Sequence, residues 1–294
     1  MTTESTKTAY SGGSLTEIVY TPESELRRPI RLLGNMWRDL VASRGLAWRL
    51  MVRDIRAQYR QSFFGVAWAF LPPIVLAVGF TLAGNARVIN VASTELPYTA
   101  YVMFSMILWQ TFVEALNGPV QAVSNAKQML TRINFPREAI VLAKLGEVFF
   151  NFGIKLVLVV AIFLWYDIPI TAKAWLAPFA LLQLIALGTF IGLLLAPLGA
   201  LYQDVANGLT VVTALWLFIT PIVYPVPSAG VFATIVKLNP VTPLLVTTRE
   251  LATTGVVSAP YQFAVVSAVA LVGLLVAWVV FRLAMPFAIE RVSS

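Results

Sequence analysis

Six long runs of apolar residues, each nearly free of charge, constrain this chain more than any other feature of it. Their limits are close to 65–84, 99–123, 140–166, 174–200, 205–227 and 260–283. About 20 residues at 1.5 Å rise are enough to cross a hydrocarbon layer of about 30 Å. Composition agrees: 59% of the 294 residues are hydrophobic and 12% are charged, where a soluble domain would hold about 25% charged residues. The expected fold class is therefore an all-α membrane protein with six transmembrane helices, and an even count puts both termini on one side.

The cations choose the side. Lys7, Arg27, Arg28, Arg31, Arg38, Arg44, Arg49, Arg53, Arg56 and Arg60 precede the first run. Lys127, Arg132 and Arg137 stand between the second and third, and Arg282 and Arg291 follow the last. The opposite loops hold Arg87, Lys173, Lys237 and Arg249. The positive-inside rule then assigns the termini and the 124–138 loop to the cytoplasm. The net charge of +7 is thereby read as a topology signal, with no nucleic-acid partner implied.

Residues 1–30 form a polar tail without a signal-peptide core, and 285–294 form a short cytoplasmic tail after a transmembrane domain over 63–284. The chain has no Cys and no His, which excludes thiol chemistry, imidazole bases and Cys/His zinc sites. No lysine follows a glycine, so no Walker A loop is present, and "SGGS" at 11–14 is a coincidence in a polar tail. The expectation is a chain with no catalytic residue, no metal and no cofactor of its own.

Residues 31–62 are too polar to span. Trp48, Val52, Ile55 and Tyr59 make a helical stripe, with Arg49, Arg53, Arg56 and Arg60 beside it. An amphipathic helix at the cytoplasmic interface is expected. Its arginines are either a topology anchor or, for Arg53, Arg56 and Arg60, also a bidentate contact for the diphosphate of a lipid-linked substrate.

"RDIRAQYRQSFFGVAWAFLPPI" at 53–74 resembles the opening of ABC-2 type permeases that export polysaccharides. "NAKQMLTRINFPREAIVLAKL" at 125–145 resembles their cytoplasmic coupling loop, "YQDVANGL" at 202–209 a segment with Gln203 where a basic residue is usual, and "LNPVTPLLVTTRELATTG" at 238–255 an external re-entrant segment. The resemblance implies a homodimer in the bacterial inner membrane and two separate ABC ATPase subunits carrying ATP and Mg. It also implies an undecaprenyl-diphosphate-linked glycan such as O-antigen, capsule or teichoic acid as cargo.

Within that frame Asn125 is expected to cap a short coupling helix that Phe135 and Pro136 end. Met129, Leu130 and Ile133 would fill a cleft on the ATPase, rimmed by Lys127, Arg132 and Arg137. Sugars stack on aromatic rings, which nominates Phe63, Phe64, Trp68, Phe104, Trp109, Phe112, Trp216, Phe218 and Tyr224 for a polysaccharide channel; ordinary packing or an interfacial belt is the alternative for each. Residues 228–259, broken by prolines and carrying Lys237, Asn239, Pro240, Arg249 and Glu250, are expected to form short re-entrant gate helices. Pro72, Pro73 and Pro221 should kink their spans. Lys144 and Glu147 should pair, while Lys155 and Glu114 have no assigned partner. Rival functions are an ABC-2 permease for a drug or lipid, and a membrane glycosyltransferase, against which the missing Asp-x-Asp argues.

Overall fold

The computed structural model describes residues 29–60, 65–85, 94, 96–132 and 137–293, with backbone alone at 29–33, 85, 127–132, 292 and 293. The tail before Pro29 and the candidates Phe63, Phe64, Ile133, Phe135 and Pro136 lie outside the described residues. Those described are helical without a strand. The helices are α1 (Pro29–Arg60), α2 (Leu71–Asn85), α3 (Tyr98–Arg132), α4 (Glu138–Trp165), α5 (Ala177–Leu201), α6 (Gln203–Ile219), α7 (Val231–Leu238), α8 (Val241–Ala252) and α9 (Pro260–Ser293). Short 3-10 turns at Gly65–Ala69 and Ala172–Leu176 precede α2 and α5. Residues up to Arg38 form one compact unit, in which Arg38 Nη2 donates to Asn35 Oδ1 at 3.2 Å, and Asp39–Ser294 form the other.

Four helical stretches have the length and hydropathy to cross a membrane: Tyr98–Ala126, Glu138–Trp165, Ala172–Leu201 and Pro260–Arg291. The first and fifth expected spans come out shorter, as helices of 15 and 17 residues. Proline explains both. The first helical hydrogen bond of α2 runs from Ile74 N to Phe70 O (3.2 Å), so Pro72 and Pro73 fall where no donor is required. They start a helix instead of kinking one. At the other site Thr220 takes an extended conformation (φ −96°, ψ 135°), as the residue before Pro221 must, and α6 ends at Ile219.

The coupling segment also differs from expectation. Asn125 does not cap a separate helix: α3 runs on to Arg132 as one element of 35 residues. Between Pro119 and Arg132 no glycine or proline interrupts it, so the backbone has no reason to stop. Beyond α6, α7 and α8 meet at a bend of 80° across Asn239-Pro240, and each is too short to span.

The core is built on α3 and α5. In their most apolar stretches 72% and 67% of residues are buried, against 22% in α4 and 17% in α9, so the latter two lie outside. Phe112, Leu116 and Ile107 of α3 meet Leu184, Ile185 and Leu187 of α5, with Leu244 and Leu245 of α8 against them. Approach is close because α5 presents Gly188 and Gly192, one turn apart. A Cβ on Gly188 would lie 2.8 Å from Phe112 O, and one on Gly192 would collide with Leu116 O. Small residues at this spacing let helices pack backbone to backbone, which matters in lipid, where apolar burial no longer drives association.

A second cluster joins Ala47 and Leu50 of α1 to Val123, Ile140, Ala196, Phe281 and Met285. Beside it Arg282 Nη1 pairs with Asp39 (2.7 Å) and Glu138 (3.4 Å), tying α1, α4 and α9. Within the chain α1 buries Ser43, Ala47 and Leu50, while Trp48 is 65% exposed and Val52, Ile55 and Tyr59 are half-buried. Gly146 of α4 leaves room for the Met51 side chain, whose sulfur a Cβ there would meet.

Replacing Gly192 with Ala is expected to lower the unfolding midpoint in detergent by the cost of overpacking, about 1–3 kcal/mol. Gly79→Ala, where a Cβ would meet nothing within 4 Å, should raise it slightly through helix propensity, by up to about 1 kcal/mol. Equal effects of the two in a thermal melt would refute the contact.

Candidate functional site

Polar residues recur one turn apart on two facing helices: Gln110 and Glu114 on α3, Asn151 and Lys155 on α4. The structure joins them. Lys155 Nζ forms an ion pair with Glu114 Oε1, Asn151 Nδ2 donates to Glu114 Oε2 (3.3 Å), and Tyr59 OH of α1 donates to Asn151 Oδ1 (3.3 Å). The Lys155 side chain is 3% exposed and that of Glu114 is 32% exposed. A charge in an apolar span is costly unless paired or watered, and these two charges are paired with each other. A concavity of about 500 Å³ opens above it, lined by Gln58, Tyr59, Trp68, Pro72, Gln110, Glu114, Asn151 and Lys155. One turn nearer the start of α4, Lys144 Nζ pairs with Glu147 at 2.6 Å as its spacing predicts.

The arginines of α1 lie on its exposed side. Arg49, Arg53, Arg56 and Arg60 line a groove of about 510 Å³ with Trp48, Val52 and Ala57. Arg53 Nε is bonded to Asp54 Oδ1 at 2.7 Å, a surface pair worth little against a multivalent anion.

The aromatic candidates divide. Phe104 meets Phe163 edge to face at 5.8 Å, while Trp109, Phe112 and Trp216 form a triad with centroids 5.4–6.4 Å apart. Phe104, Trp109 and Phe112 are buried, so packing accounts for them within one chain. Trp68 and Phe218 are more than half exposed. Tyr224 donates to Phe218 O (2.9 Å) and lies against Phe232.

Around the α7–α8 bend the backbone is held by side chains. Asn239 Oδ1 accepts from Val241 N (3.1 Å) and Trp216 Nε1 (3.0 Å), and its Nδ2 donates to Thr220 Oγ1 (3.0 Å). Arg249, buried in α8, donates to Ser105 Oγ (2.8 Å) and Pro221 O (3.4 Å) and lies 4.0 Å from the Tyr101 ring centroid. Tyr98 and Tyr101 donate to Val223 O (2.8 Å) and Tyr224 O (2.9 Å). Glu250 Oε2 accepts from Ser258 N (2.9 Å). Pro240 lies at the bend and Lys237 is exposed. The sequence gives no sign of Tyr98, Ser105 and Thr220, because single hydroxyls in apolar runs carry no periodic signal, and it shows Tyr101 only as an aromatic ring of the second span.

Of the coupling candidates, Asn125 is exposed on α3, and Lys127, Met129, Leu130 and Arg132 occupy its last turns. Arg137 precedes α4, half-buried. Burial pulls its guanidinium below the ordinary value, Glu138 opposing and Arg282 adding to the shift. Among the described residues no cluster of carboxylates is placed to hold a metal ion.

The sequence profile of the ABC-2 type transporter family matches residues 46–252. The chain belongs to that family. The match runs from the inner half of α1 through α8, and so takes in the polar pair, the arginine groove and the bend. The permease is also similar to the O-antigen export system permease protein RfbA of Myxococcus xanthus, 26% identical over 212 residues covering 71% of this chain and 80% of the relative. Two permeases of the same name from Klebsiella pneumoniae are 23% and 22% identical over 215 residues, with the same coverage. Membership makes this a multi-pass membrane subunit of an ABC transporter, a family that works with an ATPase.

Lys155→Met in the permease leaves Glu114 without its cation. The unfolding midpoint should fall, by less than the roughly 3–5 kcal/mol of a fully buried pair, because Glu114 is partly exposed. Adding Glu114→Gln should restore much of the loss; a double variant no better than the single one would mean the two groups are not coupled.

Proposed function

We propose that the permease exports a lipid-linked polysaccharide, of the undecaprenyl-diphosphate-linked O-antigen, capsule or teichoic-acid type, across the bacterial inner membrane. Two copies of this chain form the path, and two ABC ATPase subunits, which bind ATP and Mg, supply the work. The observation that carries this reading is the likeness over 71% of the chain to permeases named for O-antigen export. The four arginines on one side of α1 support it, since guanidinium forks match diphosphate oxygens.

In this reading six passages put both termini in the cytoplasm, with α2 and α6 as short spans and the bent α7–α8 pair dipping from the outer side as a gate. The last turns of α3 receive force from the ATPase. α3 is suited to that task because one continuous helix carries the coupling end, two rings of the aromatic triad (Trp109 and Phe112) and the Tyr101–Ser105 contacts to Arg249. Ser105 and Met129 are 24 residues apart, roughly 36 Å at 1.5 Å per residue. A tilt of the cytoplasmic end thereby reaches the gate along one helix, with Pro119 as the point where that helix can bend. Trp68 and Phe218 are the exposed rings that would meet passing sugars; Phe104, Trp109 and Phe112 would do so only if the core opened.

The chain has no native cysteine, so Met129→Cys gives a single reactive thiol. It is expected to cross-link to an ABC ATPase subunit and to resist membrane-impermeant thiol reagent added outside the cell. Cross-links to lipid alone, or labelling from outside, would defeat the coupling assignment. Continued glycan export after deletion of the chain would defeat the function.

A further inference from the structure

The concavity at the end of α1 has a chemistry different from that of the arginine groove on the same helix. Its polar groups are amides, a phenol and an internally neutralised ion pair. Gln58, Gln110 and Asn151 each offer donors and acceptors, and Tyr59 adds a hydroxyl. Lys155 already spends its charge on Glu114. An anion in this cavity would have to compete with a carboxylate for the ammonium, whereas a neutral hydroxyl-bearing ring can bond to amide, phenol and carboxylate oxygen at once. The Trp68 indole lies in the same wall, and an indole is a flat apolar ring of the kind that C–H faces of sugars stack on. The volume, about 500 Å³, is within the range of roughly 300–1,000 Å³ for small-molecule sites.

Position adds the second half of the argument. Arg56, Ala57 and Arg60 line the groove, while Gln58 and Tyr59 line the concavity. One turn of α1 therefore divides a cationic surface from a neutral polar one, at most about a helix diameter of 10–12 Å apart. A ligand whose sugar is bonded directly to a diphosphate matches that order of charge and neutrality. We propose that this concavity is a sugar subsite that takes the neutral hexose ring next to the diphosphate, while the Arg56–Arg60 side holds the diphosphate itself. The proposal rests on the export reading above and adds a recognition step for the diphosphate-proximal sugar.

The test measures binding to the full chain in nanodiscs with two probes, farnesyl diphosphate and farnesyl diphosphate glucose, the galactose and N-acetylglucosamine forms being run in parallel. Gln110→Leu and Trp68→Leu should each weaken the best sugar-bearing probe by roughly tenfold, about one lost polar contact or stacked ring, and leave farnesyl diphosphate unchanged. Arg56→Gln with Arg60→Gln should weaken both probes. Gln58→Ala, at an exposed position of α1, supplies a variant that leaves the α3–α4 ladder intact and should also weaken only the sugar-bearing probe. If the three polar and ring variants bind the sugar probes as the wild type does, the subsite is wrong while the diphosphate reading stands. Equal loss for both probes in Gln58→Ala and Trp68→Leu would overturn it as well, since the cavity would then be serving the anion or the fold. If the wild type binds neither probe, the lipid-linked substrate itself fails.

Discussion

A polypeptide inside a hydrocarbon layer must answer every peptide N–H and C=O from within, and the structure is organised around the places where its helices stop doing so. At Pro221 the ladder of α6 ends, and Pro221 O is met by the Arg249 guanidinium. Val223 O and Tyr224 O are met by the phenols of Tyr98 and Tyr101. At the α7–α8 bend Asn239 acts as a substitute turn, accepting from Val241 N while bridging Trp216 and Thr220. Each break is therefore bonded to α3 or α6, and the irregular outer segment becomes an extension of the helical core. Arg249 and Asn239 are buried for this reason; their polarity is used up on backbone carbonyls and neighbouring side chains.

α3 is the common member of nearly every interaction described. Its inner residues meet Gly188 and Gly192 of α5 at backbone distance, its Tyr101 and Ser105 meet Arg249, and its Gln110–Glu114 edge faces Asn151–Lys155 of α4. Such close contacts make discrete arrangements cheaper than gradual deformation, because packed interfaces resist small strains and yield in steps. A long helix with close contacts along its length suits a subunit driven by another protein. Pro119 interrupts its hydrogen-bond ladder, so bending between its two ends is concentrated there.

The sequence disclosed the helical class and the long spans directly, since roughly 20 charge-free residues admit few other folds. It disclosed Lys144–Glu147 through spacing on one helix. What it hid were relations between helices. Glu114 and Lys155 are each visible as a charge in an apolar run, yet their pairing depends on the rotation of α3 against α4. Gln110 and Asn151 mark that rotation only once both turns are seen together. The face of α1 that packs on the other helices, Ser43, Ala47 and Leu50, was hidden for the same reason, since it holds only one large apolar side chain. Pro72, Pro73 and Pro221 read as kinks because the apolar runs continue through them. Hydropathy does not register whether a helix has already begun.

The two cationic solutions in the permease show how environment sets the use of a charge. On α1 the arginines stand exposed in a row, where solvent stabilises a guanidinium's charge without a buried partner. On α4 Lys155 is 3% exposed and held by a carboxylate and, through it, an amide and a phenol. Exchanging their places would undo both: a row of buried guanidinium groups could not be compensated by the carboxylates at hand, and a lone exposed lysine would bind a diphosphate only as a point charge. The chain thus sets a charged surface beside a neutral one along a single helix. A ligand of mixed charge would meet a direction at that boundary, which a uniform pore could not give it.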